Sequence, residues 1–495
     1  MIKNKINIAV CTLALLSVIS CGEFLDREPL DQLSEETFYK TASDANKAAI
    51  SMYAIPQGIN WFGKAWIMLE IPSDNTTVGG NDPDFSPIDN FTVNPDNVPN
   101  LEFWTEHFRL VTAANQIVRF VPDIDMDVAT RDAIVGEARF LRAYSYFDLA
   151  RIYGDVPIVT EVPDINTDVL VPRDPVADVY DFLIADLQNA IETLPLVRTS
   201  ANYGRPTSGA AKSLLAKVYL TLEMYDEAME LCRDVIASGQ YQLMEDFGDN
   251  WLRDVSDNNA ESVWQIQYTG CGPIGTGNAN QGFFAPWGQN ITKNSDGWGS
   301  QIPTGPLIDN PGTTARDMYS DEDLRKYHTI MSPLDFYPML NPEEGGYTYP
   351  AQGASRSGIN IKKYVIGGGP DVCFLTTPQN MHVIRYADVL LMLAEASCKR
   401  NGGITVTPDV IDAYNQVVTR AGLPAVGSVT IEDVYEQRRL EFAFENHRWF
   451  DLLRAGNVRE VMQLHGKGMQ EHHKLFPIPA PELAINPNLT QNEGY

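Results

Sequence analysis

The chain has 495 residues, with 37 Lys and Arg against 65 Asp and Glu, a formal net charge of −28. Apolar residues make up 44 % and charged residues 21 %, the balance of a folded chain and not of a disordered one. This charge argues against nucleic acid, whose binders cluster Lys and Arg, and against electrostatic attachment to anionic lipid, and it leaves neutral or cationic ligands open.

At the N-terminus, Lys3 and Lys5 precede a nearly unbroken apolar run from Ile8 to Ile19. That run falls short of the roughly 20 residues that cross a bilayer and has the length of a signal-peptide core. The sequence Val18-Ile19-Ser20-Cys21 resembles a bacterial lipobox, which implies a signal peptide over residues 1–20, cleavage before Cys21 and lipid on its sulfur. Stable attachment takes two acyl signals, which a multiply acylated Cys21 would supply at the membrane. Cleavage removes two Lys and no acid, leaving −30. No later stretch approaches roughly 18 apolar residues, so a soluble body tethered by its first residue is expected.

Thr41-x-x-Asp44 has the form of a capping box opening a helix toward Tyr53. From Arg131 to Ile152, Ile134, Ala138, Leu141, Ser145, Leu149 and Ile152 fall at spacings of three and four. Phe140, Tyr144 and Phe147 make a second stripe, so this helix is expected to pack on two sides and to stop at Gly154. Asp178 to Thr193 and Arg385 to Lys399 are further helical patterns. Between Gly209 and Gly239, Leu215, Ala216 and Tyr219 lie on one helix. Tyr225-Asp226-Glu227 reads as a turn, and Ala228 begins a return helix with Cys232 and Val235. The small residues resemble those of a tetratricopeptide hairpin, although no strict 34-residue period is present.

These patterns give an all-α fold class: a tetratricopeptide-like helical-hairpin scaffold with a loop-rich, partly β insertion. The expected organisation is one integrated domain over 21–495, with helical parts at 21–239 and 381–495 around an insertion at 240–380. The insertion is rich in Gly, Pro, Asn and Tyr, and a middle of this kind is where a ligand is to be sought. After loss of Cys11 and modification of Cys21, four cysteines remain: Cys232, Cys271, Cys373 and Cys398. Their pairing stays open, although Cys232 and Cys398 lie on apolar helical faces and read as buried free thiols.

Catalytic and metal signatures do not survive inspection. Gly270-Cys271-Gly272-Pro273-Ile274-Gly275 has dinucleotide-loop spacing, but Pro273 and the following Gly and Asn forbid a helix. Asp123-x-Asp125-x-Asp127 lacks the Gly and Glu of a calcium loop and reads as an interhelical turn. His472-His473 has no acids at ligand spacing, and no G-x-S-x-G occurs. No metal and no cofactor are expected, and the protein is not expected to be an enzyme. What stands out is Gln281 to Thr304, where Phe283, Phe284, Trp287 and Trp298 sit among Asn, Gln, Ser, Asp and Gly. Aromatic faces beside amides and carboxylates suit carbohydrate, whose C–H faces stack on rings while its hydroxyls take hydrogen bonds.

Four further blocks stand in order along the chain. They are Glu137-Ala138-Arg139-Phe140-Leu141-Arg142-Ala143-Tyr144 continuing to Pro157, and Arg385-Tyr386-Ala387-Asp388 with Ala394-Glu395-Ala396. The third is Arg438-Arg439-Leu440-Glu441 through Glu445 and Arg448-Trp449-Phe450-Asp451-Leu452. The fourth is Phe476-Pro477-Ile478-Pro479 with the tail to Tyr495. Together they resemble the SusD-like (RagB/SusD) family of outer-membrane nutrient-binding lipoproteins. Phe24-Leu25-Asp26 and Pro29 also look like the family's start, and Gln437 departs from it where Glu is frequent. The charges within these blocks read as ion pairs between packed helices. The resemblance implies a non-enzymatic surface glycan binder that caps a SusC-like TonB-dependent barrel and hands oligosaccharide to it. It would sit on the outer membrane by lipid on Cys21, facing outward. Ligand contacts are then expected at Trp287 and Trp298 as stacking platforms, Phe283 and Phe284 as walls, and Asp74 and Asn75 as hydroxyl partners. Trp61 reads as core. A binder of peptide or another non-glycan nutrient is the alternative, and a surface glycoside hydrolase a further one.

Overall fold

Thr41 opens the first long helix, α1 (Ala42–Tyr53), through a complete capping box with Asp44. In this computed structural model the described residues are 38–61, 66–80, 82–162, 170–271, 277–291, 301–303, 315, 317–369, 371–373 and 376–495. The signal peptide, Cys21 and Trp298 lie outside them. After the short strand β1 (Thr76–Val78) come α2 (Val98–Phe120) and α3 (Val128–Tyr153). Asp127, the last acid of the Asp-x-Asp-x-Asp run, caps α3 by accepting the Thr130 N–H at 2.9 Å.

Both apolar stripes of α3 are buried, because α2 packs on one side and α4 (Val176–Thr193) on another. Gly136 makes the second approach possible: a Cβ there would stand 2.3 Å from Thr193 Oγ1. Next come α5 (Ser208–Thr221) and α6 (Tyr225–Ala237), packed as a hairpin. Tyr225-Asp226-Glu227 forms the first turn of α6 and not the connection expected from sequence. The reversal falls one step earlier, where Glu223 has a φ of +61°. In the C-terminal part, α7 (Tyr386–Arg400) packs on α6, α8 (Pro408–Arg420) and α9 (Ile431–Glu441), and α10 (Arg448–Ala455) packs on α9. The protein is mostly helical, and no helix among the described residues is long and apolar enough to cross a membrane.

The strands of the insertion are short and pair in twos. β2 (Ser262–Ile266) runs antiparallel to β8 (Met381–Arg385), with Ser262 opposite Arg385 and Ile266 opposite Met381. β3 (Gln301–Pro303) pairs with β1, β4 (Ile330–Met331) with β7 (Asn360–Ile361), and β5 (Phe336–Tyr337) with β6 (Tyr347–Thr348). A disulfide joins Cys271 to Cys373 across 102 residues, while Cys232 and Cys398 are buried free thiols.

The main core runs through all the long helices, and a smaller cluster lies inside the insertion: Ala285, Ile291, Met331, Tyr337, Leu340, Tyr349 and Val365. Buried charges stitch the two together. Arg385 pairs with Glu441 and Glu445, each at 2.8 Å, and Arg420 with Glu261 at 2.7 Å. Arg325 of the insertion reaches Glu441 and donates to Gln437 Oε1 at 2.9 Å, so a neutral amide completes the ring of acceptors around it. In the N-terminal helices, Arg142 grips Asp186 at 2.7 and 2.8 Å, and Glu137 meets Arg198 and Arg205. Each charge so buried has a partner, which burial requires.

Candidate functional site

The segment that carries the expected aromatics begins with a short helix, Asn280–Phe284, whose residues are all buried. Gln281 fixes it: its Oε1 accepts the N–H groups of Ile366 and Gly367 at 2.6 and 2.9 Å, and its Nε2 donates to the Gly367 carbonyl. Phe284 stacks on Tyr364 at 5.1 Å, and Phe283 meets the edge of Phe85 at 6.5 Å. Both phenyl rings belong to the core, so the expectation that they wall a ligand is corrected. Residues distant in sequence cover them, and nothing in the local sequence announces that cover.

Ala285 and Ile291 are anchored in the insertion's small core, and between them the chain turns outward. Gly288 and Asn290 take positive φ, +70° and +51°, which folds the segment tightly enough to hold Trp287 at its tip. Trp287 is 72 % exposed, whereas Trp264 and Trp61 are buried. Trp61 stacks on His107 at 3.9 Å in the core. A nearly bare indole on an anchored loop leaves a large apolar face in water with no structural gain. Gln289 and Asn290 flank it, and the Tyr347 hydroxyl on β6 donates to Gln289 Oε1 at 3.5 Å. Sequence reasoning missed Tyr347, and the only signal was the Tyr-rich composition of the insertion. An indole face bordered by amides and a phenol has the chemistry to stack on a sugar ring and bond its hydroxyls.

Asp74 and Asn75 are also corrected as ligand contacts. Both are buried, and Arg448 donates to Asp74 from Nε at 2.7 Å and Nη2 at 2.9 Å, with Arg439 at 3.0 Å. Burial would raise the Asp74 carboxyl, but Arg439 and Arg448 outweigh it and hold the group well below the usual carboxylate range. Asn75 Oδ1 accepts from Arg439 Nε at 2.9 Å. The pair ties the N-terminal loop to α9 and α10.

A separate hollow of about 1030 Å³ opens beside the insertion, lined by Asp246, Asp249, Asp321, Asp335, Tyr327 and His328 among others. Burial and the neighbouring Asp246 and Glu245 raise the Asp249 carboxyl. Tyr327 at its rim stacks on Tyr337 of β5 at 4.8 Å, so the hollow and the Trp287 turn rest on one small core.

Comparison with known proteins places this architecture. The family described as "SusD family" matches residues 260–495, and the one described as "Starch-binding associating with outer membrane" matches residues 23–220. "SusD-like protein P2" of Formosa agariphila is 28 % identical over 519 residues, covering 97 % of this chain and 98 % of its own. The chain belongs to the SusD-like family. "Starch-binding protein SusD" of Bacteroides thetaiotaomicron is 24 % identical over 413 residues, 72 % of each chain. The solved structure "Laminarin binding SusD-like protein" superposes with a TM-score of 0.76 at 25 % identity, covering 92 % of this chain and all of that one. The paired charges of α3, α7, α9 and α10 fall in the blocks that resemble the SusD-like family, and their geometry here is that of scaffold.

Proposed function

We propose that this protein is a surface glycan-binding lipoprotein that captures oligosaccharide or polysaccharide and hands it to a SusC-like TonB-dependent barrel in the outer membrane. The observation that carries the reading is Trp287, an exposed indole on an anchored turn within a SusD-like scaffold. Relatives described as laminarin-binding and starch-binding support the ligand class. The description "associating with outer membrane" supports the location. In this reading lipid on Cys21 holds the chain at the membrane, Trp287 and Trp298 stack on sugar rings, and the protein binds without turning over its ligand.

Affinity-gel electrophoresis of the mature protein across a panel of polysaccharides and casein-type peptides tests the proposal. Retardation by a glycan is expected, with Trp287→Ala weakening it by about tenfold, the value of one stacking contact. Retention of full binding in both Trp287→Ala and Trp298→Ala would move the site elsewhere. Released reducing ends would make the protein a hydrolase, and binding confined to peptides would leave only the uptake role.

A further inference from the structure

We infer that Asn341 is a positioning residue for Trp287: it holds the base of the Trp287 turn so that the indole meets a sugar ring without first having to be ordered. The inference rests on the glycan-binding reading and concerns what keeps that site in shape. Trp287 is largely exposed and cannot fix its own direction, which falls to the segments beneath the turn. Among the described residues these are the helix Asn280–Phe284, the strip 365–368 and the hairpin of β5 and β6. The strip and the hairpin contribute Val365, Tyr337, Leu340 and Tyr349 to the small core in which Ala285 and Ile291 anchor the turn. Gln281 ties the helix to the strip through the N–H groups of Ile366 and Gly367. Arg253 secures the strip by donating from Nη1 to the Gly368 carbonyl at 2.9 Å. Asn341 ties the strip to the hairpin, because its Oδ1 accepts the Gly368 N–H at 3.1 Å. Tyr347 of that hairpin then reaches back to Gln289 within the turn.

Backbone and side chain of Asn341 do separate work. The residue is buried and takes left-handed backbone, φ +54°, which Asn adopts more readily than most side chains. Its carbonyl accepts the N–H groups of Glu344 and Gly346 at 3.0 and 3.2 Å, which turns the chain from β5 into β6. Its side chain pins that turn to the strip, and the fit is close: a Cβ on Gly367 would stand 3.3 Å from both Asn341 N and Oδ1. Without the bond from Gly368 to Oδ1 the hairpin keeps its own turn and loses this tie. Tyr337, Leu340 and Tyr349 can then shift against Ala285 and Ile291 at the feet of the Trp287 turn. A stacking face that moves must be ordered when its ligand binds, and the complex is weaker for it.

A double-mutant cycle of Asn341→Gly with Trp287→Ala tests this on the purified mature protein, with affinity read by gel retardation. The probe is whichever of laminarin, starch and xyloglucan binds tightest. Glycine keeps the left-handed backbone and removes the acceptor. Expected is binding about fivefold weaker for Asn341→Gly where Trp287 is present, and changed by about twofold or less where it is absent. Asp186→Asn, which loosens the Arg142 pair in the N-terminal helices, supplies a destabilised protein with the turn intact and is expected to bind as wild type. Should Asn341→Gly fail to fold, Asn341→Ser, whose hydroxyl is one bond short of Gly368, takes its place in the cycle. An equal loss in both backgrounds, or a similar loss in Asp186→Asn, would make Asn341 a residue of the scaffold alone and overturn the inference. Full binding by Asn341→Gly would overturn it as well. So would full binding by Trp287→Ala, which leaves no platform to position. These outcomes leave the glycan reading standing. Absence of binding to all three polysaccharides would overturn the inference together with that reading.

Discussion

Asp74 has the side chain of a sugar-hydroxyl partner and the surroundings of a structural anchor. Its carboxylate lies between two guanidiniums, and removing it takes from Arg439 and Arg448, both mostly buried, the anion they share. Asp74→Ala is therefore expected to cost about 3–5 kcal/mol of stability, read from chemical denaturation, and to affect every ligand alike. Glu70, four residues earlier, behaves in the opposite sense. Burial pushes its pKa up to about 8 against the N–H of Asn446, so the folded protein holds it protonated while the unfolded chain ionises near 4.5. Its contribution to stability is thus lost as pH rises from about 4.5 to about 8. Glu70→Gln removes that slope, and denaturation midpoints should show it stabilising more at pH 8 than at pH 5. Residues of this kind set the limit of what sequence discloses. Asp74 and Asn75 look like surface polar residues until Arg439 and Arg448, more than 360 positions away, close over them. Trp287 and Phe283 sit in the same polar stretch, and only the fold separates the bare indole from the buried ring.

Elements divide in the same way by the range of what specifies them. The long helices are legible because their information is local: apolar spacing of three and four, the capping box at Thr41, and small residues at the α5–α6 contact. The displaced turn at Tyr225 is an error of three residues at a boundary, where a non-glycine residue, Glu223, takes the left-handed conformation that sequence gives little sign of. The insertion is illegible because its strands are two to five residues long and exist only through distant partners, Ser262 with Arg385 or Thr76 with Pro303. Its closure depends on the Cys271–Cys373 bridge, the Asn278–Thr377 backbone pair at 3.0 and 2.8 Å, and the ion pair of Arg253 with Asp371. A cross-link over a loop of about 100 residues is worth about 4.7 kcal/mol through the unfolded chain. Cys271→Ser/Cys373→Ser is expected to lower Tm by several degrees, with protease cutting concentrated between 271 and 373, whereas Cys232→Ser should leave the cutting pattern unchanged.

For the molecule as a whole, the buried charges make acid the vulnerable direction. Burial, aided by Arg385, drives His382 down to about 4, so its share of stability is lost as pH falls from about 6.5 to about 4. Asp74, Asp388 and Glu441 are held below their ordinary range, since their cationic neighbours outweigh burial, and their contributions are lost as pH falls below about 4.5. His447 and His473 are likewise held below 6.5 by burial, and together these histidines outweigh the opposite gain at Glu70. Unfolding free energy is therefore expected to decline from about pH 6.5 and steepen below about pH 4.5, a course that urea titrations at fixed pH would trace. His382→Gln should flatten the upper part of that decline and leave the lower part intact.

The bridge between Cys271 and Cys373 also dates the maturation of the protein. Thiols stay reduced in the cytosol and oxidise once exported. The two sulfurs are 102 residues apart, so they meet only after both have been translocated and the chain between them has begun to fold. In the proposed surface role, export is thus a chemical step in the folding of this lobe as well as a delivery step. Protein synthesised without it would carry that lobe closed by non-covalent contacts alone.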